Sequence, residues 1–382
     1  MPIESSPISQ CVGSTLRESI FAERDQPPFD RVAMDGIAGD SDTWRRGERR
    51  LKLQGVQAAG APQTALARKD YAIEVMTGAI LPAGCDCVVP IEQIDVEDGY
   101  ATIRPSADVT PFHNVHRRGS DACEGAQLLA SGTALRAPEI AVAASAGLAR
   151  LRVSRQPAIA VVSTGDELVE PGEPIAGFQV RRSNAYAIVA ALLQRRLARV
   201  AEEHTRDEES SLHERLGLYL GTHDVLVLSG GVSMGRFDLV PKALKHLGVE
   251  EVFHRIAQRP GAPMWFGVGP AGQAVFGLPG NPVSTLTCLI RYVVPAIAVS
   301  MGAGERAPER VALAAPVTVD GPRAYFLPVF VGHDDSGRPW AHPRPTNGSG
   351  DFLSLAGTDG FIELPPGPNT YPHGFVATVY RW

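Results

Sequence analysis

No eighteen-residue run of this chain is apolar throughout, and the first thirty residues lack the charged start and apolar stretch of a secretory signal. The sequence therefore reads as a cytoplasmic protein without a membrane span. A basic surplus is missing too. Thirty-six Lys and Arg face 42 Asp and Glu, a formal charge of −6, the wrong sign for a partner of nucleic acid or of an anionic membrane. Any anionic ligand must be met by local donors. Cysteine is scarce: five residues, at 11, 85, 87, 123 and 288, have neither zinc spacing nor a disulfide framework. Cys85 and Cys87 in AGCDCVV stand two apart on an expected strand and should share a face, where a small-hydrophobe reading outweighs a metal site. The ten histidines form no H-x3-H pattern and no G-x-S-x-G elbow occurs, so nucleophilic triads and zinc-helix chemistry have no signature. Solvated positions are expected for them.

What is present is an alternation. At 382 residues with 44% apolar side chains, the chain is long enough for two to four cores. From Pro157 to about Val299, PAIAVVS, DVLVLS and QAVFGL read as strands; SNAYAIVAALLQRRLA, ESSLHERLGLYLG, FDLVPKALKHLG and PVSTLTCLIRYVVPAIA read as helices. Ser183 or Asn184 is the expected cap of the first helix. This pattern predicts helices packed on a mostly parallel sheet, with ligands beyond the carboxyl ends of the strands. Three glycine-bearing loops fall at such ends: STGDE at 163–167, SGGVSMG at 229–235 and LPGNP at 278–282. One such loop is commonly a plain turn. Three on one edge would surround a single crevice, and backbone amides at helix starts favour a phosphate or another anion there.

The flanks have another texture. Residues 40–122 and 307–382 read as short strands with frequent turns, and residues 1–24 and 134–149 carry helical patterns that should pack together, making 40–122 an insertion. No internal repeat or low-complexity linker is visible.

The loops belong to a longer series. DRVAMDGIA at 30–38, EVMTGAILPAGCDCVVPIE at 74–92, RRGSDACEGAQLL at 117–129, VVSTGDELVEPGEPI at 161–175, LSGGVSMGRFDLV at 228–240, RPGAP at 259–263 and LPGNPVS at 278–284 follow one another in order. In these motifs the chain resembles the MoeA-type molybdopterin molybdenumtransferases, related to the E domain of gephyrin. The resemblance covers nearly the whole length and weakens after about residue 307. It implies an α/β and β multidomain fold: a linking, partly helical domain at 1–39 and 123–156, an inserted β domain at 40–122, a central three-layer α/β domain at 157–306 similar to molybdopterin adenylyltransferase, and a C-terminal β-barrel-like domain at 307–382. It also implies a homodimer that takes adenylylated molybdopterin and molybdate, releases AMP with the help of Mg2+ or another divalent cation, and makes transient contact with a molybdopterin adenylyltransferase or a molybdoenzyme. A catalytically altered paralogue, keeping the pterin pocket as a carrier or chaperone, is the alternative; a nucleotide or pyrophosphate hydrolase is a third.

On this reading Gly230, Gly231, Ser233 and Gly235 present amides and a hydroxyl to phosphate, and Gly280 and Asn281 form a second nest before a helix with Pro282 in its first turn. Asp166, with Glu167 beside it, and Asp238 are the acids for a divalent cation or the attacking water; helix N-capping is their structural alternative. Asp35 and Thr77 would face the same cleft from the neighbouring subunit. Arg259 and Arg323 retain charges expected near the oxyanion, whereas Ala262, Tyr325 and Pro328 stand where the family shows Lys, an acid and Arg. Arg182 and Arg236 replace expected acids and would return positive charge, and Ile37 replaces a tyrosine.

Overall fold

The computed structural model describes residues 1–206, 208–232, 239–304, 307–367 and 369–382. The chain divides into two compact units. One comprises Met1–Arg17, Gly132–Leu135 and Arg152–Trp382; the other comprises Glu18–Ser131 and Arg136–Leu151.

The first unit is built on a six-stranded sheet in the order Arg199–Thr205, Ala158–Thr164, Val225–Ser229, Ala274–Leu278, Trp265–Val268 and Glu250–His254. The first four strands are parallel and the last two antiparallel. Every residue of Val225–Ser229 is buried because helices cover both faces, which is why VLVLS shows no polar alternation. Ile159 and Val161 point into one core with Ile188, Leu192, Leu289 and Ile297; Ala160 and Val162 point into the other with Leu212, Leu216, Val240 and Leu244. Three layers result, as expected. The run Pro282–Ser300 is 19 residues and apolar enough to cross a membrane by length and composition, but Cys288, Leu289, Ile290, Val293 and Ile297 are buried in the first of these cores. Pro295 has no N–H to donate to the carbonyl of Arg291, and the helix opens into a π turn over Leu289–Val293 immediately before it.

Beyond the sheet, Ala324–His333, Pro339–Pro343, Arg310–Leu313, Val376–Arg381 and Gly360–Leu364 pair in that order, and the last pairs back to the first. This five-stranded barrel leaves no free edge around Val311, Leu313, Val329, Ile362 and Val379. A two-residue strand, Gln258–Arg259, runs parallel to Ala324–Tyr325 and ties the loop after Glu250–His254 to the barrel.

The second unit holds another six-stranded sheet, in the order Cys87–Pro90, Gly36–Gly39, Tyr71–Val75, Arg50–Gln57, Tyr100–Ile103 and Ile94–Glu97. Gly39 is required by its neighbour: a Cβ there would come within 2.2 Å of the Trp44 ring, which fills the core beside Ile37 and Leu51.

Two expectations are corrected. Residues 1–24 form no α-helix; with Pro2, Pro7 and Gly13 interrupting any turn, they form strand Ile3–Pro7, a 3-10 turn Ile8–Gln10 and strand Ile20–Phe21. The pattern at 134–149 does form a helix, Ala137–Ser145, with Pro138 in its first turn. Cys85 and Cys87 do not share a face. Only Cys87 is on the strand; Cys85 lies in the preceding turn, and the two belong to different cores. Burial pushes both thiols up to about 12, with Asp86 adding to it.

Candidate functional site

Three adjacent parallel strands end at Thr164, Ser229 and Leu278, so the loops that follow leave one edge of the sheet together. Side chains and amides lock them. The Gly230 amide donates to the Leu278 carbonyl at 3.2 Å. Asn184, in the first turn of Asn184–Gln194, donates from Nδ2 to Ser229 Oγ at 3.1 Å and to the Gly280 carbonyl at 2.7 Å. Ser183 takes the N-cap position without a side-chain bond. Gly230 and Gly231 adopt φ of +98° and +66°, and a Cβ on Gly231 would lie 2.7 Å from Val240 Cγ2 and 2.8 Å from Thr164 Oγ1. The backbone is thus pressed onto Thr164 in a way only glycine permits.

These loops line a crevice of about 880 Å³ together with Glu167, Ser183 and Gly350. Thr164 Oγ1 and Asn184 Oδ1, from two of its lining residues, are buried and have no hydrogen-bond partner among the described residues. Orphaned polar atoms at a crevice are positions for ligand or water to complete. Neither residue stood out in the sequence as a ligand contact, although Thr164 lies inside STGDE.

A second cavity, of about 470 Å³, is lined by Arg259, Ala262, Ser284, Arg323 and Ser349, and shares Asn281 with the crevice. Asn281 is the N-cap of Pro282–Cys288, and its Nδ2 donates to Ser349 Oγ at 2.8 Å. Pairing of Arg259 with Tyr325 brings Arg259 and Arg323 to one wall; both are exposed, and among the described residues neither makes an ion pair. No carboxylate lines this cavity among the described residues, so two guanidinium groups set its potential. Ala262, Tyr325 and Pro328 line the same cavity, so three departures from the family pattern converge on one place.

Asp166 is exposed in the turn after Thr164, with strand Leu168–Val169 following it, so helix capping is excluded as its role. Glu167 lines the crevice; Asp166 is beside it in sequence but not among the lining residues. Ser233, Gly235, Arg236 and Asp238 lie outside the described residues. Among the described residues no group of three or more His, Cys, Asp and Glu is arranged for a metal ion. Arg182 lines the crevice, but its charge is met by carboxylates: it is 7% exposed and pairs with Glu170 at 3.0 Å and with Glu202. Tyr186 donates its hydroxyl to the same Glu170.

In the second unit, Gly36–Gly39 and Tyr71–Val75 are antiparallel with Gly36 opposite Val75, which brings Asp35 next to Thr77. The Thr77 hydroxyl and amide both donate to Asp35 Oδ1 at 2.6 Å and hold its carboxyl below the usual carboxylate range. Asp35 is therefore ionised at neutral pH.

Three family models match in chain order: the MoeA N-terminal region (domain I and II) over residues 1–147, a probable molybdopterin binding domain over 160–299 and the MoeA C-terminal region (domain IV) over 310–382. A molybdopterin molybdenumtransferase of Synechocystis is 38% identical over 371 residues, 97% of this chain and 93% of the relative. A molybdopterin biosynthesis MoeA protein structure from Pyrococcus horikosii is similar with TM-score 0.79 and 32% identity, covering 100% of this chain and 94% of that one. A second structure, from Pyrococcus horikoshii OT3, has TM-score 0.81 and 26% identity over 99% of this chain and 95% of its own.

Proposed function

This chain belongs to the MoeA family of molybdopterin molybdenumtransferases, enzymes of molybdenum cofactor biosynthesis, and from that premise we propose that it moves molybdenum from molybdate into adenylylated molybdopterin with release of AMP. One observation carries the reading: the glycine-lined crevice and the cavity of Arg259 and Arg323 meet at Asn281. A phosphorylated pterin in the first would present its sulfur-bearing end toward an oxyanion held in the second. Gly230, Gly231 and Gly280 supply close backbone approach, Thr164 supplies a hydroxyl able to donate to phosphate, and Asn184 supplies an amide oxygen able to accept from a ligand N–H. Asp166 and Asp238 suit a magnesium ion that takes one or two carboxylates and completes its shell with waters and substrate phosphates, a fit consistent with an exposed Asp166 beside a crevice built for phosphate. Bound there, the ion would neutralise charge on the phosphates. Asp35, kept ionised by Thr77, is an acceptor that orients the attacking water, contributed by the second subunit of a cytoplasmic homodimer.

Incubation with adenylylated molybdopterin, magnesium and molybdate tests this. AMP release together with cofactor that activates a molybdoenzyme apoprotein is the expected result. Tight binding without AMP release would instead identify a carrier, the reading that Ala262 and Pro328 favour by thinning the cations of the oxyanion cavity. Phosphate release from common nucleotides without molybdate would identify a hydrolase.

A further inference from the structure

The stretch RRGSD at 117–121 plays no part in the site described above, yet its side chains are tightly organised. Arg118 is committed to structure: Nε bonds Asp25 at 2.7 Å and its amide bonds Asp30 at 2.8 Å. Arg117 lies over the Phe112 ring at 4.1 Å. Asp121 points elsewhere, to His116 Nε2 at 2.9 Å, and His116 Nδ1 meets the guanidinium of Arg31 at 3.0 Å. His116 and Arg31 are directly opposed across the strand pair Val115–His116 and Arg31–Val32. A guanidinium cannot accept a hydrogen bond, so Nδ1 must accept and Nε2 must donate to Asp121. The bridging ring is thereby assigned as neutral, and Arg31 is held in place without its charge being cancelled by a direct carboxylate contact. Among the described residues Arg31 makes no ion pair.

Arg31 and His116 line a pocket of about 320 Å³ with Thr77 and Gly78. Both Thr77 donors are engaged by Asp35, and the Gly78 amide by the Val32 carbonyl. The remaining strong donor facing a ligand there is Arg31. We propose that Arg31, fixed by the His116–Asp121 pair, binds a tetrahedral oxyanion beside Asp35 and Thr77, either a phosphoryl group or molybdate. Its place in a reaction rests on the proposed function; the anion pocket itself does not.

Calorimetric titration of the full chain with AMP and, separately, with molybdate tests the pocket. Arg31→Met should lose one class of sites or weaken it by about tenfold or more, while Arg31→Lys keeps part of the affinity because the charge survives without the fork. Arg259→Met should leave that class intact. A loss confined to AMP identifies the phosphoryl source; a loss confined to molybdate identifies the oxyanion. Wild-type stoichiometry and affinity for both ligands in Arg31→Met would overturn the proposal. If Arg31→Met does not fold, His116→Gln, which can still accept from Arg31 and donate to Asp121, should bind better than His116→Leu; equal binding by the two would overturn it. Anion binding lost in Arg31→Met while the wild type releases no AMP would sink the transferase reading and keep the pocket; unaltered binding in an active enzyme would do the reverse.

Discussion

A methyl group on Gly231 would have to displace Thr164 or Val240 while its backbone sits at a φ of +66°. Gly231→Ala should therefore lower unfolding free energy by about 1–3 kcal/mol in denaturant titrations, more than a surface glycine would. Thr164→Val tests the orphaned hydroxyl differently. It removes a buried unpaired oxygen at nearly constant shape, so stability should hold or rise by up to about 1 kcal/mol while substrate affinity falls. An unchanged affinity would show that the hydroxyl meets no ligand. Ala262→Lys adds a cation to a cavity that has two arginines and no carboxylate among the described residues. Its expected effect is a roughly tenfold lower KM for molybdate, one charge-assisted contact; a KM that is unchanged or higher would move the oxyanion elsewhere.

Between Thr164 and Ser183 the chain leaves the sheet, forms the small strand pair Leu168–Val169 and Val180–Arg181, and returns. Arg182 fastens this excursion: one end of its guanidinium holds Glu170 in the loop, the other holds Glu202 on the edge strand. Arg182→Met should raise proteolytic cutting within residues 170–180 and cost about 1–3 kcal/mol, since a buried cation's partners lose their hydrogen bonds. Cutting at the wild-type rate would show that the loop is held otherwise. The central strands and helices were legible because both faces of the sheet are covered and the apolar runs are unmixed. Edge strand Arg199–Thr205 was not legible: RVAEEHT carries two glutamates and is half-exposed, so nothing in it imitates a core strand. Arg182 needed coordinates for a related reason. Sequence gives its charge but not the two carboxylates that cancel it. The start of the chain misled through helix-compatible spacing that its prolines override.

At the scale of the molecule, motif order revealed the architecture, whereas the chemistry of single positions needed coordinates: nothing in RPGAP or RAYFLP alone says that Arg259 and Arg323 share a wall. Four of the five thiols are buried and Cys123 is exposed, so a thiol reagent near neutral pH should label one cysteine per native chain. Additional rapid labelling would contradict the two cores that enclose Cys85 and Cys87. The proposed sharing of a site between subunits has a quantitative test. Inactive Asp35→Asn and Arg323→Met chains, denatured and refolded together in equal amounts, should recover about a quarter of wild-type activity, because half the dimers are mixed and each restores one of two sites. No recovery would mean each chain works alone. The ribbon in which Gln258–Arg259 pairs with Ala324–Tyr325 carries one more consequence. A stop codon ahead of the barrel would delete Arg323 and, in the same stroke, strip Arg259 of the backbone rail that aims it, so shortened chains should lose oxyanion affinity twice over and lose Gly350 from the wall of the glycine crevice as well.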